Sequence, residues 1–166
     1  MNYILKKATI SDCQRYRYTL TRVWDNTLQR VLFIGLNPST ADADKDDAAI
    51  RKLTKYCQTW GYGGFTIVNL FALRSRNPFV LLNHSRKECQ GPENLKHIIE
   101  LVAYPDGPAK IICMWGDKGD LYEQDRIVLD RLKGLKLHCF DISKRGLPKH
   151  PLYLSSSLKP IEYVTK

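Results

Sequence analysis

Three side chains of this 166-residue sequence join polar chemistry to positions where a chain tends to present a ligand: Asn37 in GLNPST, Asn69 in NLFALR and His150 in KHPLY. An imidazole N–H can meet negative charge developing on an oxygen. An asparagine amide does not take a proton, but it positions a water, and its donors and acceptor can read a polar ring edge. Ser39 adds a hydroxyl, Phe71 and Tyr153 add rings that can stack, and Arg74, Lys144, Arg145 and Lys149 add cations suited to phosphates. Each has a plainer alternative. Asn37 before Pro38 can shape a turn, Asn69 can satisfy loop backbone, His150 beside Pro151 can lie on the surface, and Phe71 can be core.

Four apolar runs lead into these polar segments. Arg30–Ile34 precedes GLNPST, and Phe65–Phe71 contains and precedes NLFALR. Lys110–Trp115 leads to WGDKG, and Leu135–Phe140 leads to DISKRGLPKHPLY. Between them lie helical patterns. Asp46 or Asp47 can cap a helix with Ala49, Leu53, Cys57 and Trp60 on one face, stopped by Gly61, Gly63 and Gly64. Pro92 opens a second helix with Leu95, Ile98, Ile99 and Val102, broken at YPDGP. Leu121, Val128, Leu129 and Leu132 mark a third, ended by Gly134. Strand and helix alternate, so the expected fold is α/β with a mostly parallel, four-stranded central sheet. RYRYTLTRVW alternates before Asp25-Asn26, which predicts an N-terminal hairpin leading into the Arg30–Ile34 strand. After Phe71 a polar, proline-containing stretch reads as a loop through Gly91. One domain over residues 1–166 is expected, with the four polar segments on the carboxyl edge of the sheet, where ligands bind.

Composition narrows the function. The net charge of +9 favours a polyanionic partner, most simply nucleic acid. No run approaches the ~20 apolar residues of a membrane span. MNYILKKATISDC lacks a signal-peptide core, which points to the cytoplasm. Of five cysteines the nearest pair, Cys89 and Cys113, is 24 residues apart, so zinc spacing and a disulfide framework lose support. Cys57, Cys113 and Cys139 read as core. Asp42, Asp44, Asp46 and Asp47 do not form a calcium loop. Counted from Asp42, the sixth position is Asp47 rather than glycine, and the twelfth is Leu53 rather than glutamate. They read as a solvated loop with a helix cap, from which one carboxylate can still bind substrate. Walker, dinucleotide, serine-elbow and HExxH patterns are absent, so neither metal nor cofactor is expected.

RYRYTLTRVW, LNPSTADADKDDAAI, WGYGGFTIVNLFALR, GPEN, MWGDKG and GLPKHPLYL, six segments in order, resemble a bacterial and phage family classed as a domain of unknown function. The strand ending in Gly-x-Asn-Pro, the asparagine closing TIVN, WG after the third strand and His150-Pro151-Leu152 also resemble motifs of the uracil-DNA glycosylase superfamily. In this chain the last motif reads HPLYLS, and Asn37 stands where some members carry aspartate. This second resemblance implies a three-layer α/β/α sandwich and hydrolysis of the N-glycosidic bond of a modified or mismatched base. It further implies that His150 donates to the leaving-base oxyanion, Asn37 positions water, and Asn69 reads the base. Phe71 or Tyr153 would stack on an extruded base, and Ser39, Arg74, Lys144, Arg145 and Lys149 would contact nucleic acid, DNA before RNA. The alternative is a module on the same fold that binds a base, nucleotide or nucleic acid without cleaving it.

Overall fold

The computed structural model describes residues 1–165. Seven strands make one mixed sheet: β1 (Leu5–Ile10), β2 (Arg17–Val23), β3 (Arg30–Gly35), β4 (Gly64–Asn69), β5 (Lys110–Cys113), β6 (Leu137–Cys139) and β7 (Ile161–Glu162). Their spatial order is β1-β2-β4-β3-β5-β6-β7. The four strands expected from the apolar runs are the central ones, and all their pairings are parallel. Burial on both sheet faces explains their near-continuous apolar sequences. The expected four-stranded sheet is corrected to seven by three antiparallel additions, β1, β2 and β7.

The expected hairpin from β2 into β3 is likewise corrected. β2 pairs with β1 on one side and β4 on the other, so the N-terminal hairpin is β1–β2. Glycines explain how β4 enters between β2 and β3. A Cβ on Gly63 would lie 2.0 Å from the Asp25 carbonyl oxygen, and one on Gly64 would lie 2.6 Å from that of Arg22. The Gly63 carbonyl accepts the N–H groups of both Trp24 and Asp25. Only side-chain-free backbone fits that corner.

Four α-helices accompany the sheet: α1 (Ala48–Thr59), α2 (Arg86–Gln90), α3 (Asn94–Ala103) and α4 (Gln124–Arg131). Alternating residues of the central strands feed two core clusters. On one face Val31, Phe33, Phe65, Ile67 and Ile112 meet Ile50, Leu53, Tyr56 and Cys57 of α1. On the other, Leu32, Ile34, Val68 and Ile111 meet Ile98 of α3 with Val128 and Leu132 near α4. Asp47 caps α1, its Oδ1 accepting the Ile50 N–H at 2.9 Å. The expected third helix begins later than Leu121, because Tyr122 and Glu123 both have φ of 55° and interrupt it. The stretch expected as a loop, after Phe71 through Gly91, is more ordered than that. It holds a 3-10 turn at Pro78–Asn83, and α2, which a Ser85/Glu88 capping box starts. Cys57, Cys113 and Cys139 are buried free thiols, as expected. No helix is long and apolar enough to cross a membrane, and no group of three metal-ligating side chains occurs among the described residues.

Candidate functional site

A cleft of about 570 Å³ opens at the carboxyl ends of β3, β4 and β5. Its walls come from the segment after β3, the first turns of α1, the segment after β5 and the stretch 150–153. Asn37, Ser39, Asn69, His150 and Tyr153 all line it, together with Trp115 and Gly116. Thus residues separated by more than a hundred positions meet at one sheet edge, where parallel topology places the strand ends.

Asn37 does two things at once. Its Nδ2 donates to the carbonyls of Pro38, Leu73 and Ser75 at 3.2–3.3 Å, which ties the β3 and β4 exit loops together. No donor to its Oδ1 occurs among the described residues, and the residue lines the cleft. Asn69 ends β4 directly opposite Gly35. A Cβ at Gly35 would sit 2.6 Å from the Asn69 Oδ1, so the glycine makes room for the amide. Asn69 is 4% exposed, and its Nδ2 has no partner among the described residues. Behind it, fully buried Asn94 donates to the carbonyls of Asn69 and Leu70 at 2.8 and 3.1 Å. That is the work of the asparagine in GPEN: it satisfies carbonyls just past the end of the parallel ladder.

His150 Nδ1 accepts the Leu152 N–H at 3.2 Å, which assigns the ring proton to Nε2. Solvent reaches the ring, yet the surrounding protein desolvates it and lowers its pKa. Nearby Asp47 opposes that shift and Lys52 reinforces it. The neutral imidazole therefore offers one N–H donor. Its segment is held against α1 by Lys52 Nζ, which donates to the carbonyls of Leu152 and Leu154. Trp115 Nε1 is buried with no acceptor among the described residues, and Gly119 leaves room for that indole: a Cβ there would lie 1.9 Å from Cδ1. Tyr153 is 92% exposed at the rim.

Other expected residues lie elsewhere. Phe71 is fully buried in the core cluster on the α3/α4 face, edge-on to Tyr122, so its ring offers no stacking surface. Arg74 does not line the cleft and donates to the Gln14 carbonyl. Lys144 and Arg145 border a separate hollow. Arg145 is held by the Asp117 carbonyl and the Asp120 carboxylate, and Lys149 is paired with Asp141 at 2.6 Å. Carboxylate partners already meet two of the cations expected to face phosphates.

Five charged residues line the cleft that the motif reading did not assign to it: Arg17, Asp47, Arg76, Asp117 and Lys118. Asp47 accepts the Ser39 hydroxyl on its second oxygen at 2.5 Å. The helix-cap signal located it, but nothing in the sequence separated it from its neighbours Asp42, Asp44 and Asp46. Asp46 instead pairs with buried Arg22 at 2.8 Å. Arg17 is hidden by a bulge. Ile10 of β1 faces Arg17 while Thr9 faces Thr19, so Tyr18 is the extra residue on β2. Tyr18 stacks on His97 of α3, whereas Leu20 packs in the α1-side cluster. The bulge thus breaks the strand's alternation and sends Arg17 toward the cleft.

No curated protein and no solved structure matches the chain. One family model does, from Arg17, the first residue of β2, to Leu152 in the cleft wall, so its span holds every cleft-lining residue except Tyr153. With residues 17–152 matched, the chain belongs to the family described as Protein of unknown function (DUF1643).

Proposed function

We propose that the cleft hydrolyses the N-glycosidic bond of a modified or mismatched nucleobase, on a fold of the three-layer, uracil-DNA-glycosylase-like kind. The observation that carries this reading is the convergence of Asn37, Asn69 and His150 on one cleft, with the His150 proton assigned to Nε2. As the C1′–N bond breaks, its electron pair moves onto the base, and the Nε2–H donates to the base oxygen that gains charge. Water held by the Asn37 Oδ1 adds to C1′ and gives up a proton, which ends on the departing base. The Asp47 carboxylate has lone pairs beyond the two that accept Ser39 and Ile50, so it can relay that proton. Asn69 reads the base edge, and Tyr153 stacks at the rim. Arg76, Lys118 and exposed Lys144 supply charge toward nucleic acid, DNA before RNA.

One observation favours binding without cleavage. The Asn37 amide nitrogen is committed to three carbonyls, and both Asp47 oxygens already accept a hydrogen bond. Both residues hold the loop together as well as facing the cleft. A panel of oligonucleotides carrying uracil, mismatches and hypermodified pyrimidines separates the readings. Abasic-site formation that His150→Ala abolishes supports hydrolysis. Tight binding with no abasic product on any member leaves the binding module.

A further inference from the structure

Strand β2 carries two buried arginines on the α1 side of the sheet, and they differ in one respect. Arg22 is fully buried and satisfied: Nε donates to Asp46, Nη1 to the Thr21 carbonyl and Nη2 to the Asp42 carbonyl. Arg17 is 4% exposed, and among the described residues only its Nη1 has a partner, the Ala41 carbonyl at 2.7 Å. Among the described residues its buried Nε has no acceptor, its Nη2 has none either, and no carboxylate lies within ion-pairing distance. Asp47 in the cleft wall, whose charge favours the charged guanidinium, accepts its hydrogen bonds from Ser39 and from Ile50 at the α1 cap. A guanidinium buried with unused donors is costly unless something else completes it. Desolvation pushes its pKa down to about 10, which leaves it charged at neutral pH.

We infer that Arg17 is the anchor of an oxyanion subsite inside the cleft, and that it takes the terminal phosphate monoester of a nucleotide whose base lies toward His150 and Asn69. The inference rests on the reading of this cleft as a nucleobase site. A side chain this deeply set is out of reach of a phosphodiester running along the protein surface. Only a group at the end of a ligand can enter and meet it. The cleft volume suits a small ligand, since such sites span roughly 300–1,000 Å³. Arg76 and Lys118 at the same cleft add positive charge, and the Asp117 carboxylate there already accepts the Ser143 hydroxyl. The planar guanidinium matches phosphate oxygens in geometry as well as charge.

Two sources can offer that phosphate: a free nucleoside monophosphate, or the 5′ end of a nucleic-acid strand. Binding of deoxyribonucleoside 5′-monophosphates, the matching nucleosides, and 5′-phosphorylated and 5′-hydroxyl oligonucleotides would be followed by calorimetry. A charge-assisted hydrogen bond predicts that the wild-type protein prefers the phosphorylated member of a pair by about tenfold or more. Arg17→Gln should erase that ratio while nucleoside affinity holds, and Arg17→Lys should keep part of it. Preference among the mononucleotides assigns the free source; preference confined to the oligonucleotides assigns the strand end. A wild-type ratio near one overturns the subsite even when no Arg17 variant folds, as does an undiminished ratio in folded Arg17→Gln. The readout needs no turnover. A phosphate preference without abasic product removes the hydrolase reading alone, whereas abasic product with a ratio near one removes the Arg17 subsite alone.

Discussion

Two hollows lie at opposite ends of β3, and the larger carries less chemistry. The one at the amino end, about 760 Å³, is walled by Asn26, Gln29, Arg30, Thr66 and the turn Tyr104–Pro108. None of its side chains leaves a buried polar atom unpaired among the described residues, and Arg30 is met by the Asn26 side chain at 3.0 Å. The carboxyl-end cleft is smaller, yet Arg17 Nε, Asn69 Nδ2 and Trp115 Nε1 are all buried there without partners among the described residues. Buried polar groups are normally satisfied, and each exception needs a reason. Unspent donors, rather than volume, distinguish the two ends. Proline and glycine shape the amino end, whereas glycines at 35 and 119 make room for polar side chains at the other.

The comparison breaks most readily at the histidine. His150→Ala should lower abasic-site formation on the order of 100- to 1000-fold, the usual cost of removing a donor to an oxyanion. Arg30→Ala, at the amino end, should leave the rate unchanged, with thermal melting confirming that both variants fold. Equal losses would move the chemistry to the wrong end of the sheet. A pair of glycines sharpens the contrast further. Gly35→Ala drives a methyl against the Asn69 amide and should cost roughly 1–3 kcal/mol of stability together with base discrimination. Gly107→Ala meets nothing closer than the Tyr104 carbonyl oxygen at 3.3 Å and should cost less, with discrimination intact. Urea melts and a two-base competition would read both.

Acidity gives a smaller effect with a definite sign. The pKa of His150 is lowered in the folded protein, so the unfolded chain binds more protons as pH falls below the ordinary histidine value. Its contribution to stability is complete above about 6.5 and is lost as pH falls through the lowered folded value. Protonation would place an N–H on Nδ1 and break the bond from the Leu152 amide, so on the hydrolase reading turnover should follow the same limb. Melts of wild type and His150→Gln at pH 7.5 and 5 isolate this contribution, because His138, lowered in the same direction, is common to both. The smallest effect is expected at Arg145 and Lys149. Both are matched by aspartates, so their alanine variants should change the salt slope of DNA binding by less than the roughly 0.7–0.9 of a full phosphate contact.

How far the sequence reveals this architecture depends on whether the signal is local. The central strands are apolar runs buried on both faces, and α1 carries its own cap, so these were legible. β1 was not, because LKKATI is largely exposed and has no core pattern; nor was the two-residue β7. The partner of β2 is chosen by glycines forty residues away. The same divide runs through the cleft. Asn37, Asn69 and His150 follow recognisable strand ends, but a one-residue bulge inverts the face on which Arg17 falls. Phe71, two residues past Asn69, sits among core residues that no spacing rule distinguishes from a rim. Arg145 pairs with Asp120 from the segment after β5 and Lys149 with Asp141 eight residues before it, pairings that a count of charges cannot reveal.

The bonds that fasten the far wall of the cleft have a consequence for the order of assembly. Lys52 reaches the carbonyls of Leu152 and Leu154, Tyr56 that of Ser155, and Trp60 that of Leu158, with 98 to 102 residues between the partners. Closing so long a loop costs entropy before any of these bonds gives stability in return. The parallel strands and α1 can form first, leaving the 150–158 segment to dock onto a finished helix. Docked last, it should also detach first. Amide hydrogen exchange at Leu152 and Leu154 should then report sub-global opening well before the β3 amides exchange, so that the cleft loses its histidine while the sheet remains intact.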